Sequence, residues 1–374
     1  MRTNGRRTGV VHYLGRVVAF LVLSLVLAEL VLRFVLPASS VPSWYQDGTW
    51  RIFHFDPSQA GQTGMTTYGR YCVKEGVWHI NNAGWNSAFD YSKRTGSSRL
   101  RVAILGDSSI EGLATDYRKH IDVDLFGDLG GQAEVYSFGM AGWYLAQYIP
   151  LATYVLDNYQ PDVYFVCVGT GDIAQSLRDR GSSTPNGYQI EPKGGSFVVV
   201  PPQEIYVKSI KRELASKSAL VRYLLYNAQV ALPGERVVGQ SDAAPAGAEE
   251  SAASSAAAAD PELRAAADFM VARLSSDHPN AKIVFVGDTS DRSVYDGTPE
   301  AKPVDSALLV RSAAVRHANC SFLDLGPWFA RDWALHHQRF QAADGGHWNA
   351  HANQVVASAM KQYLLDTHLA SLTP

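Results

Sequence analysis

Sulfur is scarce in this chain. The cysteines are Cys72, Cys167 and Cys320; no two form a CxxC pair and none stands beside histidines at metal-ligand spacing, which argues against a disulfide framework and a structural zinc. Cys167 and Cys320 lie in apolar, strand-like runs and read as buried free thiols. Charge of one sign is scarce too: 33 Lys and Arg stand against 36 Asp and Glu, a net charge of −3. With no basic surface to neutralise phosphates, nucleic acid is not an expected partner. There is no long acidic or basic tail and no internal repeat. No motif implies a metal or an organic cofactor.

What is present is ample apolar surface: 374 residues, 46% hydrophobic, enough for one large domain or two small ones. Much of it begins at once. Val17 to Leu36 is almost wholly apolar, and such a helix rises roughly 30 Å, the thickness of a bilayer core. Glu29 and Arg33 interrupt it at a spacing that lets them pair on one helix face. Arg2, Arg6, Arg7 and Arg16 precede it, so the positive-inside rule puts residues 1–16 in the cytoplasm, 17–36 in the membrane and everything after Pro37 outside, in the periplasm or its equivalent. The rival is a signal peptide with its apolar core at Val17 to Ala28, cut after Pro37. Both readings export the remainder.

Residues 37–98 form a lead-in carrying Trp44, Trp50, Trp78 and Trp85, expected to be irregular and to pack on a main domain at 99–374. There strand-like runs at 101–105, 133–138, 162–168, 282–286 and 320–325 alternate with helical patterns near 117–129, 143–158, 261–276, 304–317 and 350–367. The expectation is an α/β fold: a three-layer α/β/α sandwich around a roughly five-stranded parallel sheet, flavodoxin-like, preceded by one transmembrane helix. An insertion at about 173–260 breaks the alternation. It holds a hairpin or lid at Gly187 to Val200 and a helix near 205–230. That helix has Ile210, Leu214, Val221 and Leu224 on one side and Lys208, Lys211, Arg212 and Arg222 on the other. It reads as a surface helix packed on the core or one lying on the membrane. An Ala/Ser-rich tract at 241–260 reads as a linker.

Four segments carry chemistry. Gly106-Asp107-Ser108-Ser109-Ile110-Glu111-Gly112 follows the first strand, and ligands of open α/β sheets bind at the carboxyl ends of strands. Ser108 is therefore placed as a nucleophile, which needs a histidine base from elsewhere; the bland alternative is a strand-ending turn with Asp107 and Ser108 as helix caps. Asp344-Gly-Gly-His347 offers that base with a carboxylate to orient it, in the order Ser…Asp…His; alternatively it is a solvated loop. His351 competes with His347, but its spacing to Asp344 suits less well. Ser137-Phe-Gly139-Met-Ala-Gly142 follows the second strand, where a glycine can aim an N–H at an oxyanion. Gly169-Thr170-Gly171-Asp172 follows the third, as a tight turn or part of the site. Trp143, Tyr144 and Trp348 read as sugar-stacking platforms or as packing.

Together these blocks resemble the SGNH hydrolase superfamily, the GDSL-type esterases, of the membrane-anchored bacterial type. Gly106-Asp107-Ser108 with Gly112 matches GDSxxxG and implies that Ser108 is the nucleophile. Ser137-x-Gly139-x-x-Gly142 matches NxGxxG with Ser in place of Asn, and implies that Gly142 N–H binds the oxyanion. Asp344-x-x-His347 matches DxxH. His79-Ile-Asn-Asn-Ala-Gly84-Trp is similar to the lead-in of members linked to surface polysaccharides. The departure is at Gly169-Thr170-Gly171-Asp172, where the family's GxND supplies an oxyanion-binding Asn and Gly171 stands instead. A nearby amide (Asn81, Asn82 or Gln175) substitutes, or slow hydrolysis favours transfer to a sugar, or the site only binds. The resemblance implies an extracytoplasmic esterase acting on O-acetyl or other O-acyl esters of a cell-surface carbohydrate, or on a small ester. The alternatives are an O-acyltransferase modifying an exported polysaccharide, with the export machinery as partner, and an inactive glycan-binding or assembly protein.

Overall fold

The computed structural model describes residues 4–96, 99–178, 187–203, 206–230, 260–287, 293–296 and 306–370. Five strands, β1 (Leu100–Gly106), β2 (Ala133–Gly139), β3 (Val163–Val168), β4 (Lys282–Gly287) and β5 (Cys320–Asp324), form one sheet. Its order is β2-β1-β3-β4-β5 and every adjacent pair is parallel. That is the flavodoxin-like winding expected from the strand–helix alternation, and its direction reverses between β1 and β3, where such sheets open a crevice for ligands.

The strands are near-continuous apolar runs because both faces are covered. Ala103, Leu105, Tyr136, Phe138, Tyr164, Val166, Ile283 and Phe285 face one layer, packed with helices Leu145–Tyr159, Pro261–Asp277 and Ser306–Ala314. Val102, Ile104, Val135, Val163, Phe165, Val284 and Val286 face the other, packed with helices Ile121–Asp128, Gly326–His336 and Ala350–Asp366. The register aligns the carboxyl ends: Gly106 lies opposite Gly139 and Gly287 opposite Val168, so the loops after β1, β2 and β3 emerge side by side.

The lead-in is more regular than its composition suggests. It contains short strands at Trp44–Gln46, Phe53–Phe55, Thr63–Tyr68 and Val73–His79. Beyond β3, strands Gln189–Lys193 and Ser196–Val200 make the expected hairpin, turning through Gly194 and Gly195 at positive φ. The helix expected over 205–230 is broken at Ser218 into Ile210–Lys217, Ala219–Arg222 and a wide turn at Tyr223–Asn227. The Ser218 hydroxyl accepts from the Val221 N–H and starts a new helix. Helix Gly326–His336 was not signalled by the sequence. The Ala/Ser-rich tract lies, save for Asp260, outside the described residues.

The chain divides into two compact units: 42–64, 76–207 and 240–374 make the larger, with the sheet, and 1–41, 65–75 and 208–239 the smaller. The smaller unit begins with helix Asn4–Phe34, of which His12–Phe34 is long and apolar enough to cross a membrane. Within this unit Glu29 pairs with Arg33 and also accepts from Ser218 Oγ and from the Ala219 and Leu220 N–H groups. The buried Asn227 side chain accepts from the Ser39 N–H and donates to Thr67 O, Thr67 Oγ1 and Gly69 O.

Candidate active site

Ser108 opens a single helical turn, Ser108–Glu111, directly after β1. Asp107 caps it, its carboxylate accepting from the Ser109 N–H at 2.9 Å, and Gly112 ends it at φ 68°. A Cβ at Gly112 would strike the His120 ring at 2.2 Å, so the turn can close there only on glycine. His120 is itself fully buried, its Nδ1 bonded to Asp122 and Asp122 to Ser87 Oγ. Burial raises the Asp107 carboxyl above its ordinary range, opposed by the Ser109 N–H and the nearby His347.

The loop after β2 presses against this turn. A Cβ at Gly139 would lie 2.1 Å from the Glu111 amide nitrogen and 2.2 Å from the Ile110 carbonyl carbon; Gly139 thus permits a close approach to the Ser108 turn. Ser137 Oγ donates to the Ile110 carbonyl, and the buried Asn86 amide donates to the Glu111 carbonyl at 2.9 Å. Both hold the Ser108 turn from outside, and neither role was legible in sequence, because a hydrogen bond to a distant backbone carbonyl leaves no spacing signature. Gly142 is exposed, with φ 76°.

The last block folds as a tight loop before helix Ala350–Asp366. Asp344 Oδ1 accepts from the Gly346 and His347 N–H groups at 3.0 and 3.1 Å, and Oδ2 holds His347 Nδ1. Burial disfavours both charged forms, but the mutual hydrogen bond and charge outweigh it. Asp344 is held down at about 2, with backbone N–H groups helping. His347 is pushed up to about 8, with Asp107 and Glu111 adding to the effect of Asp344. With Nδ1 occupied, Nε2 is the nitrogen left for proton transfer. Thr115 Oγ1 donates to the Trp348 carbonyl at 3.1 Å, tying this loop to the chain just past Ser108. No hydrogen bond joins Ser108 to His347 among the described residues, and such bonds are commonly long in unliganded sites. His351 has another partner: its Nε2 lies 2.5 Å from Asp332 and its ring stacks on Phe340.

The loop after β3 brings Gly171 to the N-terminus of a short helix, Asp172–Ser176. Asp172 turns back to accept from the Gly169 N–H at 3.0 Å. A Cβ at Gly171 would lie 2.2 Å from Gln175 Nε2, so the Gln175 amide fills the space where a side chain at 171 would begin. Asn81 and Asn82 are committed elsewhere: the Asn81 amide donates to Phe89 O and that of Asn82 to Tyr91 O, each at 2.9 Å. Of the three amides, Gln175 is the one that lies over Gly171. Trp143 and Trp348 are 2% and 3% exposed and serve as packing, which overturns their reading as sugar platforms; Tyr144 is half-buried. A groove of about 610 Å³, lined by Tyr45, Tyr91, Tyr154 and Tyr159 among others, is separate from Ser108, Asp344 and His347. No cluster of His, Cys, Asp and Glu fit to hold a metal occurs among the described residues.

No protein-family model and no curated protein matches the chain. Among solved structures it is similar to a family 3 carbohydrate esterase from Clostridium thermocellum, with 12% identity, TM-score 0.38, and 73% of this chain and 100% of that one covered. It is also similar to a carbohydrate acetylesterase from Sinorhizobium meliloti, at 11% identity and TM-score 0.37 over 72% of this chain and 100% of that one. A third is an alpha/beta hydrolase from a lake metagenome, at 16% identity and TM-score 0.38 over 74% and 97%. Identities and TM-scores this low bear on neither activity nor substrate. In its sequence blocks the chain resembles the SGNH hydrolases.

Proposed function

We propose that the chain is an exported serine esterase that removes O-acetyl groups from a cell-surface carbohydrate. The observation that carries this reading is the His347–Asp344 pair, tied through Thr115 and Trp348 to the loop that presents Ser108 at the strand-order reversal. Ser108 Oγ attacks the ester carbonyl while His347 Nε2 takes its proton. Asp344 holds the imidazole tautomer and stabilises the imidazolium. The tetrahedral oxyanion is bound by the N–H groups of Ser108 and Gly142 and by the Gln175 amide. Collapse expels the sugar alcohol, which receives the proton from His347. Water then repeats the sequence on the acyl-serine, releasing acetate and free Ser108.

The test is a fluorophosphonate probe on detergent-solubilised full chain, with acetate release from acetylated glycans measured alongside. Labelling of the wild type that is lost in Ser108→Ala and His347→Ala supports an activated serine. Folded wild type that stays unlabelled moves the reading to glycan binding or assembly. A second reading, acyl transfer from the same acyl-serine to a polysaccharide hydroxyl, is favoured by the apolar N-terminal helix, which would hold the site near export machinery. It requires that transfer to an added glycan acceptor outrun hydrolysis.

That helix we read as a retained anchor, with the N-terminus in the cytoplasm. Cutting after Pro37 would remove Glu29, the carboxylate that caps the turn at Ser218, Ala219 and Leu220, leaving those donors without it.

A further inference from the structure

The smaller unit has a feature that the esterase reading does not use. Helix Ile210–Lys217 buries Ala215, yet Ile210 is 80% and Leu214 51% exposed. They stand one turn apart on the same face, and Lys217 continues that row. Residues 206–230 carry Lys208, Lys211, Arg212, Lys217 and Arg222 against a single acid, Glu213, and Glu213 is already paired with Lys208 and Lys217. An exposed apolar stripe edged by lysines is the pattern of a helix lying in a lipid interface.

The apolar helix fixes where that stripe sits. Its two charged residues near the outer end are both spent on this segment. Arg33 donates to the Lys217 carbonyl at 2.9 Å, and Glu29 takes Ser218 Oγ and the Ala219 and Leu220 N–H groups. Glu29 lies five residues before the end of the span at Phe34, roughly 7–8 Å along the helix axis. The C-terminal end of helix Ile210–Lys217 is thereby held at the depth of an interfacial helix, roughly 5–10 Å into the boundary between headgroups and acyl chains. Every polar group drawn to that depth by Glu29 is hydrogen-bonded, which is what a low-dielectric layer demands.

We propose that residues 208–230 form a collar seated on an anionic phospholipid surface around the outer end of the anchor, with Ile210 and Leu214 in the acyl boundary and Lys211 and Lys217 among the headgroups. The inference rests on the anchor reading, and its test separates the two. Full-length protein is placed in nanodiscs containing phosphatidylglycerol. A single environment-sensitive fluorophore is attached at Leu214→Cys or at Leu21→Cys within the span; the three native thiols are buried. Quenching by nitroxides at shallow and deep positions on the lipid is then read. The expected result is deep quenching at position 21 and shallow quenching with blue-shifted emission at 214. Adding Glu29→Gln should reduce the quenching at 214 and leave that at 21. Deep quenching at 21 with a water-like signal at 214 overturns the collar and leaves the anchor. A water-like signal at 21 overturns both.

Discussion

The sharpest test of the proposed chemistry is the amide that lies over Gly171. Gln175 is half-buried, and its side chain makes no hydrogen bond among the described residues, while Nε2 sits 2.2 Å from where a Cβ at 171 would be. An amide donor in the helix that follows β3, with no hydrogen-bond partner among the described residues, is available to a developing oxyanion and costs no bond to recruit. Gln175→Met keeps the volume and removes the donor. Loss of one such donor lowers kcat by about 10²–10³, or about 2.7–4 kcal/mol of transition-state stabilisation, with KM little changed, because the neutral ground-state carbonyl uses the donor less. Gly171→Asn introduces a Cβ that must push the Gln175 amide aside, and the far end of a flexible side chain moves cheaply. The double variant Gly171→Asn/Gln175→Ala removes the collision and supplies an amide two bonds beyond the new Cβ, so it should return kcat to within about tenfold of wild type. The assay is steady-state hydrolysis of an aryl acetate, with fluorophosphonate labelling as a check that Ser108 remains reactive. If Gln175→Met keeps kcat within about threefold of wild type, well short of a lost donor, the oxyanion role of Gln175 is refuted while the nucleophile assignment stands.

Other consequences follow from the same geometry. His347 must be neutral to accept a proton, and its pKa is pushed up to about 8. Hence kcat/KM should fall as pH drops through about 8, and Asp344→Asn should move that limb to lower pH and cut kcat by roughly 10³–10⁴. Stability runs the other way: a histidine whose folded pKa is raised contributes fully below its unfolded value, near 6.5, and that contribution is lost as pH rises through about 8, so the Tm advantage of wild type over His347→Ala should shrink with rising pH between those limits. Gly139→Ala forces a methyl against the Ile110–Glu111 backbone and should destabilise by about 1–3 kcal/mol with reduced probe labelling; an unchanged urea midpoint would contradict the packing described. Asn86→Ala removes two hydrogen bonds of a buried side chain, from its amide to the Glu111 carbonyl and from the His79 N–H to its Oδ1, and should cost about 1–3 kcal/mol by the same measurement. For the N-terminal helix, intact mass of protein recovered from membranes should include residues 1–37; a mature chain beginning just after Pro37 would favour a signal peptide.

The sheet was legible because parallel strands buried on both faces must be apolar throughout, and runs such as Val163–Val168 admit few other readings. Five runs separated by helical spacing imply the layers, and the carboxyl ends of those runs locate Ser108, Gly139 and Gly171 together before any side chain is placed. The lead-in was less legible. Its order comes from single polar side chains acting over distance: Asn81 accepts from the Ala83 and Trp85 N–H groups, and Asn82 from that of Tyr91. Such bonds follow no period. The break at Ser218 was hidden for a similar reason: the periodicity of Ile210, Leu214 and Val221 continues across it, while the cap that sets it needs Glu29, far away in sequence.

Gly171 shows how a departure from a motif and the answer to it can lie in one helical turn. The helix Asp172–Ser176 brings residue i+4 back over residue i, and the Gln175 N–H bonds the Gly171 carbonyl at 3.0 Å. A long amide side chain at that position can reach the volume vacated by a missing one only if the residue there has no Cβ. Gln175 can place its amide there because residue 171 lacks a Cβ: a side chain at 171 displaces the Gln175 amide, and shortening Gln175 leaves the volume empty. Gln175→Met therefore tests whether the amide at 175 is used, and the double variant, not Gly171→Asn alone, tests whether an amide from 171 can take its place.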